Sequence, residues 1–309
     1  MNLPAVSVIM LTYNHALYLK EAIEGVLMQK TNFNFELIIC DDSSPDSSKE
    51  VIKPLVEIHP EIIRYFRHQK NIGFVENQRF AFQKASGKYI AYCEGDDYWT
   101  DPYKLQFQYD FLEKNSEFVM TTARNLVLHQ DSGKITNDGK DLIFENKEVV
   151  DYTQETFFTE RPTQTFTYLI RRKFLDLKWI SIYPNYRDLY YFYHLLEFGK
   201  GRAFNKIVGV YRLHEGGVYS SLAIEKKLRT SISIFKNIKK QNNDTRANHQ
   251  IIKNLDQLIN KYYYLEEFPL PVFHKNLLKS IRERFEISKD YKILFLQLAK
   301  TLKYSLKKK

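Results

Sequence analysis

From Tyr89 to Trp99 the chain reads Tyr89-Ile90-Ala91-Tyr92-Cys93-Glu94-Gly95-Asp96-Asp97-Tyr98-Trp99, an apolar run that ends in three acids within four residues. The apolar residues over 89–93 suit a buried strand, and Gly95 lets the backbone turn so that the flanking carboxylates converge. Carboxylates brought together without cations repel one another. A hard divalent ion, Mg²⁺ or Mn²⁺, relieves that repulsion, taking oxygen ligands from one or two carboxylates together with substrate phosphates. The chemistry these residues suggest is therefore metal-assisted handling of a phosphorylated substrate. An acidic turn closing an edge strand would have the same composition.

The elements that must position these acids occur in a regular order. Apolar runs over 6–11, 36–40, 62–66 and 89–93 predict four strands, and helical spacing predicts helices over about 16–29, 46–58 and 73–85 between them. Repeated strand–helix–strand units imply a parallel sheet. In such sheets ligands bind beyond the C-terminal strand ends. Here those ends are Thr12-Tyr13-Asn14, Asp41-Asp42-Ser43 and Glu94-Gly95-Asp96-Asp97, three polar clusters far apart in sequence that should meet on one edge. Neither a G-x-G-x-x-G nor a G-x-x-x-x-G-K phosphate cradle is present, which argues against a dinucleotide oxidoreductase and a P-loop enzyme.

Further strands are expected over 118–128, 165–170 and 202–212, a turn-rich loop over 131–140, and a helix over 190–198 capped near Asp188. Beyond Ser220 the pattern becomes helical, over 222–240, 249–267, 273–285 and 291–306. The net charge of +9 is concentrated there: residues 221–309 hold 20 Lys and Arg against 8 Asp and Glu, which leaves the first 220 residues slightly acidic. Such a basic amphipathic region could lie on an anionic membrane surface or pack on the catalytic domain with a solvated Lys face. Nucleic-acid binding is disfavoured, because the interleaved apolar residues are needed for helix packing. The two cysteines, Cys40 and Cys93, fall inside expected buried strands and suggest no disulfide framework. With no signal peptide at Met1-Asn2-Leu3-Pro4 and no apolar run near the ~18 residues of a spanning helix, the expected location is cytoplasmic, soluble or peripheral on the inner face of the plasma membrane.

Four motifs, Val6-Ser7-Val8-Ile9-Met10-Leu11-Thr12-Tyr13-Asn14, Glu36-Leu37-Ile38-Ile39-Cys40-Asp41-Asp42-Ser43-Ser44, Gly87-Lys88-Tyr89-Ile90-Ala91-Tyr92-Cys93-Glu94-Gly95-Asp96-Asp97 and Tyr211-Arg212-Leu213-His214, resemble in this order the family 2 glycosyltransferases. The resemblance covers about residues 4–220. It implies a GT-A fold, α/β and Rossmann-like, with a mostly parallel central sheet flanked by helices. The implied domains are a catalytic domain over 1–220, divided into a nucleotide-sugar half (about 1–100) and an acceptor half (about 101–220), and a C-terminal helical extension over 221–309.

The same resemblance assigns roles. Thr12, Tyr13 and Asn14 would line the base and ribose of a nucleotide sugar, a uridine diphosphate sugar being the expected donor. Asp42 matches the acid that hydrogen-bonds uracil. Glu94-Gly95-Asp96 stands where the family has D-x-D, with Asp96 and Asp97 as contacts to ribose and to Mn²⁺ or Mg²⁺; whether Glu94 touches metal, ribose or neither stays open. Asp188 would be the catalytic base, although Arg187 replaces the acid that usually precedes it and Asp188 could instead be a helix cap. Arg212 and His214 would serve the leaving diphosphate, with an ordinary loop histidine as the alternative for His214.

The expected reaction is an inverting transfer of one sugar to a hydroxyl of a saccharide or lipid-linked acceptor in cell-surface polysaccharide synthesis. A scaffold of the same fold that has lost catalysis, and a sugar nucleotidyltransferase, are the rival readings. The latter would need a Gly-rich basic loop that Met10-Leu11-Thr12-Tyr13-Asn14-His15 lacks.

Overall fold

The computed structural model of the chain describes residues 3–157, 164–183, 187–217 and 224–241. The chain divides into two compact units, Met1–Glu215 and Gly216–Lys309. In the first, the alternating strands and helices appear in the expected order: β1 (Val6–Thr12), α1 (Ala16–Leu27), β2 (Phe35–Asp41), α2 (Ser48–Ile58), β3 (Ile63–Arg67), α3 (Phe74–Lys84) and β4 (Tyr89–Tyr92). All residues of β1 and β4 are buried, as in a strand covered on both faces.

The chain continues as β5 (Tyr98–Trp99), α4 (Lys104–Lys114), β6 (Phe118–His129), β7 (Lys134–Asn137), α5 (Asp141–Phe144) and β8 (Val149–Tyr152). It closes through a 3₁₀ turn (Thr165–Thr167), β9 (Leu169–Arg171), a second 3₁₀ turn (Arg172–Phe174), α6 (Lys178–Ile182), α7 (Asp188–Leu195) and β10 (Lys200–Leu213). The segment expected to be a strand over 165–170 is thus a turn followed by a shorter strand, and the expected loop over 131–140 contains β7.

The sheet order is β3-β2-β1-β4-β9-β6-β10-β5, with β7 beside β6 and β8 beside β10. Pairing is parallel from β3 to β4 and again between β6 and β10. The remaining pairs are antiparallel, so the sheet is mixed beyond β4, where short connections such as that between β6 and β7 return the chain in the opposite direction. β2 lies on one side of β1 and β4 on the other. This reversal of strand order opens a crevice at the C-terminal ends of β1 and β4.

In the second unit, α8 (Ile224–Gln241) buries Ile232, Phe235 and Ile238, which recur every third residue. The helices expected over 249–267, 273–285 and 291–306 lie outside the described residues. Among the described residues no helix is long and apolar enough to cross a membrane.

Candidate active site

The acidic loop Glu94–Asp97 leaves β4 at the crevice and crosses over the end of β1. The Gly95 amide donates to the Leu11 carbonyl (3.1 Å), and a Cβ on Gly95 would stand 3.0 Å from Thr12 Cβ and Oγ1 and 3.0 Å from His15 Nδ1. Close approach to the β1 end favours glycine there, since a Cβ would press on Thr12 and His15. Burial pushes the Glu94 carboxyl up to about 8, the charges of Asp96 and Asp188 adding to the rise, and Glu94 Oε2 is buried without a hydrogen-bond partner. Asp97, only 4% exposed, is likewise raised well above the ordinary carboxylate range by burial and then by Asp96 and Glu94.

Asp96 behaves differently. Burial alone would raise it, but a hydrogen bond from His214 Nε2 to Oδ2 (3.1 Å) and His15 Nε2 at 3.7 Å hold it below its usual value. Burial lowers the His15 imidazole against the pull of Asp96. Both histidines come from segments at the crevice: His15 precedes α1, and His214 comes directly after β10 with its ring 4.9 Å from that of Tyr18.

Arg212 clamps the loop from the other side. Its amide donates to Asp97 Oδ1 (2.8 Å), its Nε to the Asp96 carbonyl (2.9 Å) and its Nη1 to Gln130 Oε1 (2.9 Å), while Nη2 pairs with Glu21. Arg212 is 6% exposed. In the described structure its guanidinium therefore supports the acidic loop.

The ends of β1 and β2 are cross-braced. Asn14 and Ser43 both have φ 62°, a left-handed conformation uncommon for residues with a side chain. The Asn14 amide donates to Ser44 Oγ (3.0 Å). Asp46 joins two helix starts: its Oδ2 accepts from the Ala16 amide (2.8 Å) at the head of α1, and its Oδ1 from the Ser48 amide (3.1 Å) and hydroxyl (2.5 Å) at the head of α2. These amides would otherwise lack partners. Asp42 accepts from the amides of Ile72 (2.7 Å) and Gly73 (2.9 Å), which fixes its carboxylate against the loop before α3. Tyr13 is half exposed at the rim, and Thr12 is buried with Oγ1 unpartnered.

Asp188 is the first residue of α7, with Arg187 at the cap position. Its Oδ1 accepts from the Leu189 amide (2.9 Å) and its Oδ2 from the Thr165 hydroxyl. An aromatic seam brings α7 to the end of β4: Tyr92 packs against Tyr191 and Phe192 with ring centroids 6.0 Å apart in each pair, and Phe192 stacks on Tyr168 at 3.7 Å. In consequence the charge of Asp188 reaches Glu94, adding to its rise after burial and Asp96.

The structure thus joins Asp96, Asp97, Arg212 and His214 into one contact network and sets Thr12 against Gly95. Asp42 stands apart in the β2 loop, and Asp188 meets the acids only through its field. Among the described residues no three His, Cys, Asp or Glu side chains stand grouped as metal ligands. The donor chemistry nevertheless fits a divalent cation, because the charge of Asp96 adds to the upward shifts of the Glu94 and Asp97 carboxyls and an oxygen of Glu94 is orphaned. His15, Glu21, Asp46 and Thr165 are participants that sequence reasoning missed. His15 adjoins the Thr12-Tyr13-Asn14 cluster, and Asp46 closes the acid-rich turn after β2; nothing local marks Glu21 or Thr165.

Residues 7–176 match the family model described as glycosyl transferase family 2. An uncharacterized protein of Mycobacterium bovis is 37% identical over 128 residues, 41% of this chain and 37% of that protein. An uncharacterized glycosyltransferase of Methanocaldococcus jannaschii is 29% identical over 176 residues, 57% of this chain and 58% of its own length. The matched stretch is therefore about a third to just over a half of these relatives. Among solved structures, Staphylococcus aureus TarS 1–349 in complex with UDP-GlcNAc superposes with TM-score 0.63 at 19% identity, covering 90% of this chain and 80% of that one. The Pyrobaculum calidifontis mannosyltransferase PcManGT, in complex with GDP-Man and Mn²⁺, gives 0.57 at 15% identity over 99% of this chain and 81% of its own. At such identities the likeness is one of fold, and it agrees with the expected GT-A architecture.

Proposed function

The chain belongs to glycosyl transferase family 2, and from that premise we propose that it moves one sugar from a nucleoside diphosphate sugar, a uridine diphosphate sugar above all, to an acceptor hydroxyl with inversion at the anomeric carbon. The observation that carries the reading is the crevice itself: an acidic loop at the end of β4 faces Asp188 at the head of α7, close enough for their charges to interact. Thr12, Tyr13, Asn14 and Asp42 are assigned to the nucleotide, the Asp42 carboxylate being pre-set by the Ile72 and Gly73 amides.

In the proposed reaction the acceptor oxygen bonds to the anomeric carbon as the bond from that carbon to the diphosphate breaks, the electron pair leaving with the nucleoside diphosphate. The hydroxyl proton passes to Asp188, a general-base role worth roughly 10²–10⁴-fold. Asp96 and Asp97 would hold Mn²⁺ or Mg²⁺, which when bound supplies neutralisation of charge on the diphosphate. His214 keeps Asp96 ionised, and Arg212 fixes the backbone on which both acids ride.

The acceptor assigned is a saccharide, lipid-linked in the simplest case, in cell-surface polysaccharide assembly. This assignment rests on the basic character of residues 221–309, which suits a protein peripheral to the inner face of the membrane.

A panel of nucleotide sugars, each with and without Mn²⁺, tests the reading by thermal stabilisation and by metal-dependent release of the nucleoside diphosphate. UDP with Mn²⁺ should raise the melting temperature, and Asp97→Ala should abolish the shift. Asp188→Asn should retain the shift and lose turnover; unchanged turnover would remove Asp188 from the mechanism.

A further inference from the structure

A carboxylate on the first turn of a helix can swing about its side-chain bonds, and a single bond to its own helix amide does not stop it. Asp188 has a second restraint from a distant segment, the Thr165 hydroxyl on Oδ2, while the Leu189 amide holds Oδ1 at 2.9 Å. Thr165 begins the isolated 3₁₀ turn Thr165–Thr167, whose three backbone positions are all tied down. The Phe166 carbonyl accepts from the Trp99 indole Nε1 (2.9 Å) and the Thr167 carbonyl from Gln108 Nε2 (2.9 Å). The Thr167 amide and hydroxyl both donate to the Gln164 carbonyl, at 3.1 and 2.8 Å.

The anchors are themselves interlocked. Gln108 Oε1 accepts from Lys104 Nζ (2.9 Å), and that ammonium lies 4.2 Å from the centroid of the Trp99 ring. Trp99 is 2% exposed, and Lys104 and Gln108 are 0% exposed. At Gly209 of β10 a Cβ would come within 2.5 Å of the Tyr98 carbonyl oxygen and 2.7 Å of the Phe166 ring, so glycine is what lets β5 and the turn approach this closely. Trp99 lies two residues beyond Asp97. A continuous chain of short contacts therefore runs from the acidic loop through Trp99 and the turn to Asp188.

We propose that Thr165 is the positioning residue of the general base, and that the turn Thr165–Thr167, braced on Trp99 and Gln108, fixes the separation of Asp188 from the acidic loop. The proposal rests on the reading of Asp188 as base. With Oδ2 held by Thr165 and Oδ1 by the helix amide, the carboxylate plane is set and a remaining lone pair faces the acceptor hydroxyl, ready to take its proton as the sugar–diphosphate bond breaks. An error of about 1 Å in such an alignment costs on the order of 10²-fold. Thr→Val keeps the shape of the side chain and removes only the donor; Thr→Ser keeps the donor.

The test uses the purified full chain with Mn²⁺, UDP-sugars as donors and water as acceptor, reading UDP release, beside crystal structures of the variants. Thr165→Val should lower kcat about ten- to a hundredfold with donor KM within about twofold, Thr165→Ser should restore most of the loss, and the Val structure should show the Asp188 carboxylate rotated away from its present place. If Thr165→Val does not fold, Thr165→Ala replaces it. Full turnover in the Val or Ala variant alongside a dead Asp188→Asn overturns the proposal and leaves the base assignment standing. An active Asp188→Asn overturns both. A Val or Ala structure with the carboxylate in its present place overturns the positioning role even where no donor in the panel is turned over.

Discussion

Each nitrogen of the Arg212 guanidinium has a protein acceptor, and its amide holds Asp97 as well. Its carbon also lies 4.8 and 5.0 Å from the ring centroids of Tyr18 and Tyr98, so the group is stacked between two aromatic faces. A planar fork with several donors suits this, and an ammonium cannot reproduce it. The Tyr211-Arg212-Leu213-His214 segment invites a reading as a phosphate contact, and in the ligand-free structure Arg212 also braces the acidic loop. These roles differ in what they predict without any ligand. Arg212→Lys should lower the unfolding free energy of the donor-free protein by about 1.5–3 kcal/mol, since the Asp96 carbonyl loses its charged donor. Urea denaturation reads this directly; unchanged stability with weakened UDP binding would return Arg212 to the diphosphate.

At the level of elements, β1 to β4 and the helices between them were legible because both signals they carry, continuous buried apolar runs and helical spacing, are local. The acidic loop and Asp42 stand out for their position at strand ends, whereas Asp188 is marked by the resemblance to the family, its place at a helix start suggesting no more than a cap. α4 was not legible: its buried side chains are Lys104, Leu105, Gln108 and Leu112, and a face with Lys and Gln in it reads as solvated. By sequence the turn at Thr165–Thr167 reads as strand because Thr-Phe-Thr-Tyr is rich in β-formers, a preference that hydrogen bonds from Trp99 and Gln108 override. The same buried face of α4 has a measurable signature. Burial lowers the Lys104 ammonium to about 7, against smaller opposing effects of Cys93 and Asp101. Between that value and about 10.5 the unfolded chain binds a proton that the folded one does not, so the contribution of this group to stability rises with pH across the window, by up to about 1.4 kcal/mol per unit. Lys104→Met should flatten that limb of the stability profile, and an identical slope in both proteins would show that the ammonium stays charged when folded.

For the molecule as a whole, charge divides where the architecture does. Residues 221–309 carry 20 of the 46 Lys and Arg but only 8 of the 37 Asp and Glu, while the sheet-bearing unit carries the acids of the crevice. In α8 the apolar residues Ile232, Phe235 and Ile238 are buried, and Lys226 and Arg229 are exposed one and two turns earlier. A helix that keeps its apolar face covered can meet a membrane only through its charge, so attachment should be electrostatic and additive, about 1 kcal/mol for each Lys or Arg near the surface. It should also decline steeply once salt shortens the screening length to about 10 Å near 0.1 M. Vesicles of phosphatidylcholine with and without phosphatidylglycerol, sedimented with the protein at rising salt, check this. Binding that requires the anionic lipid, weakens with salt and diminishes when residues 288–309 are removed is the expected pattern. Equal partition onto both vesicles would mean that apolar insertion governs attachment. Absence of binding at low salt would leave the basic region to contact a saccharide acceptor or another protein.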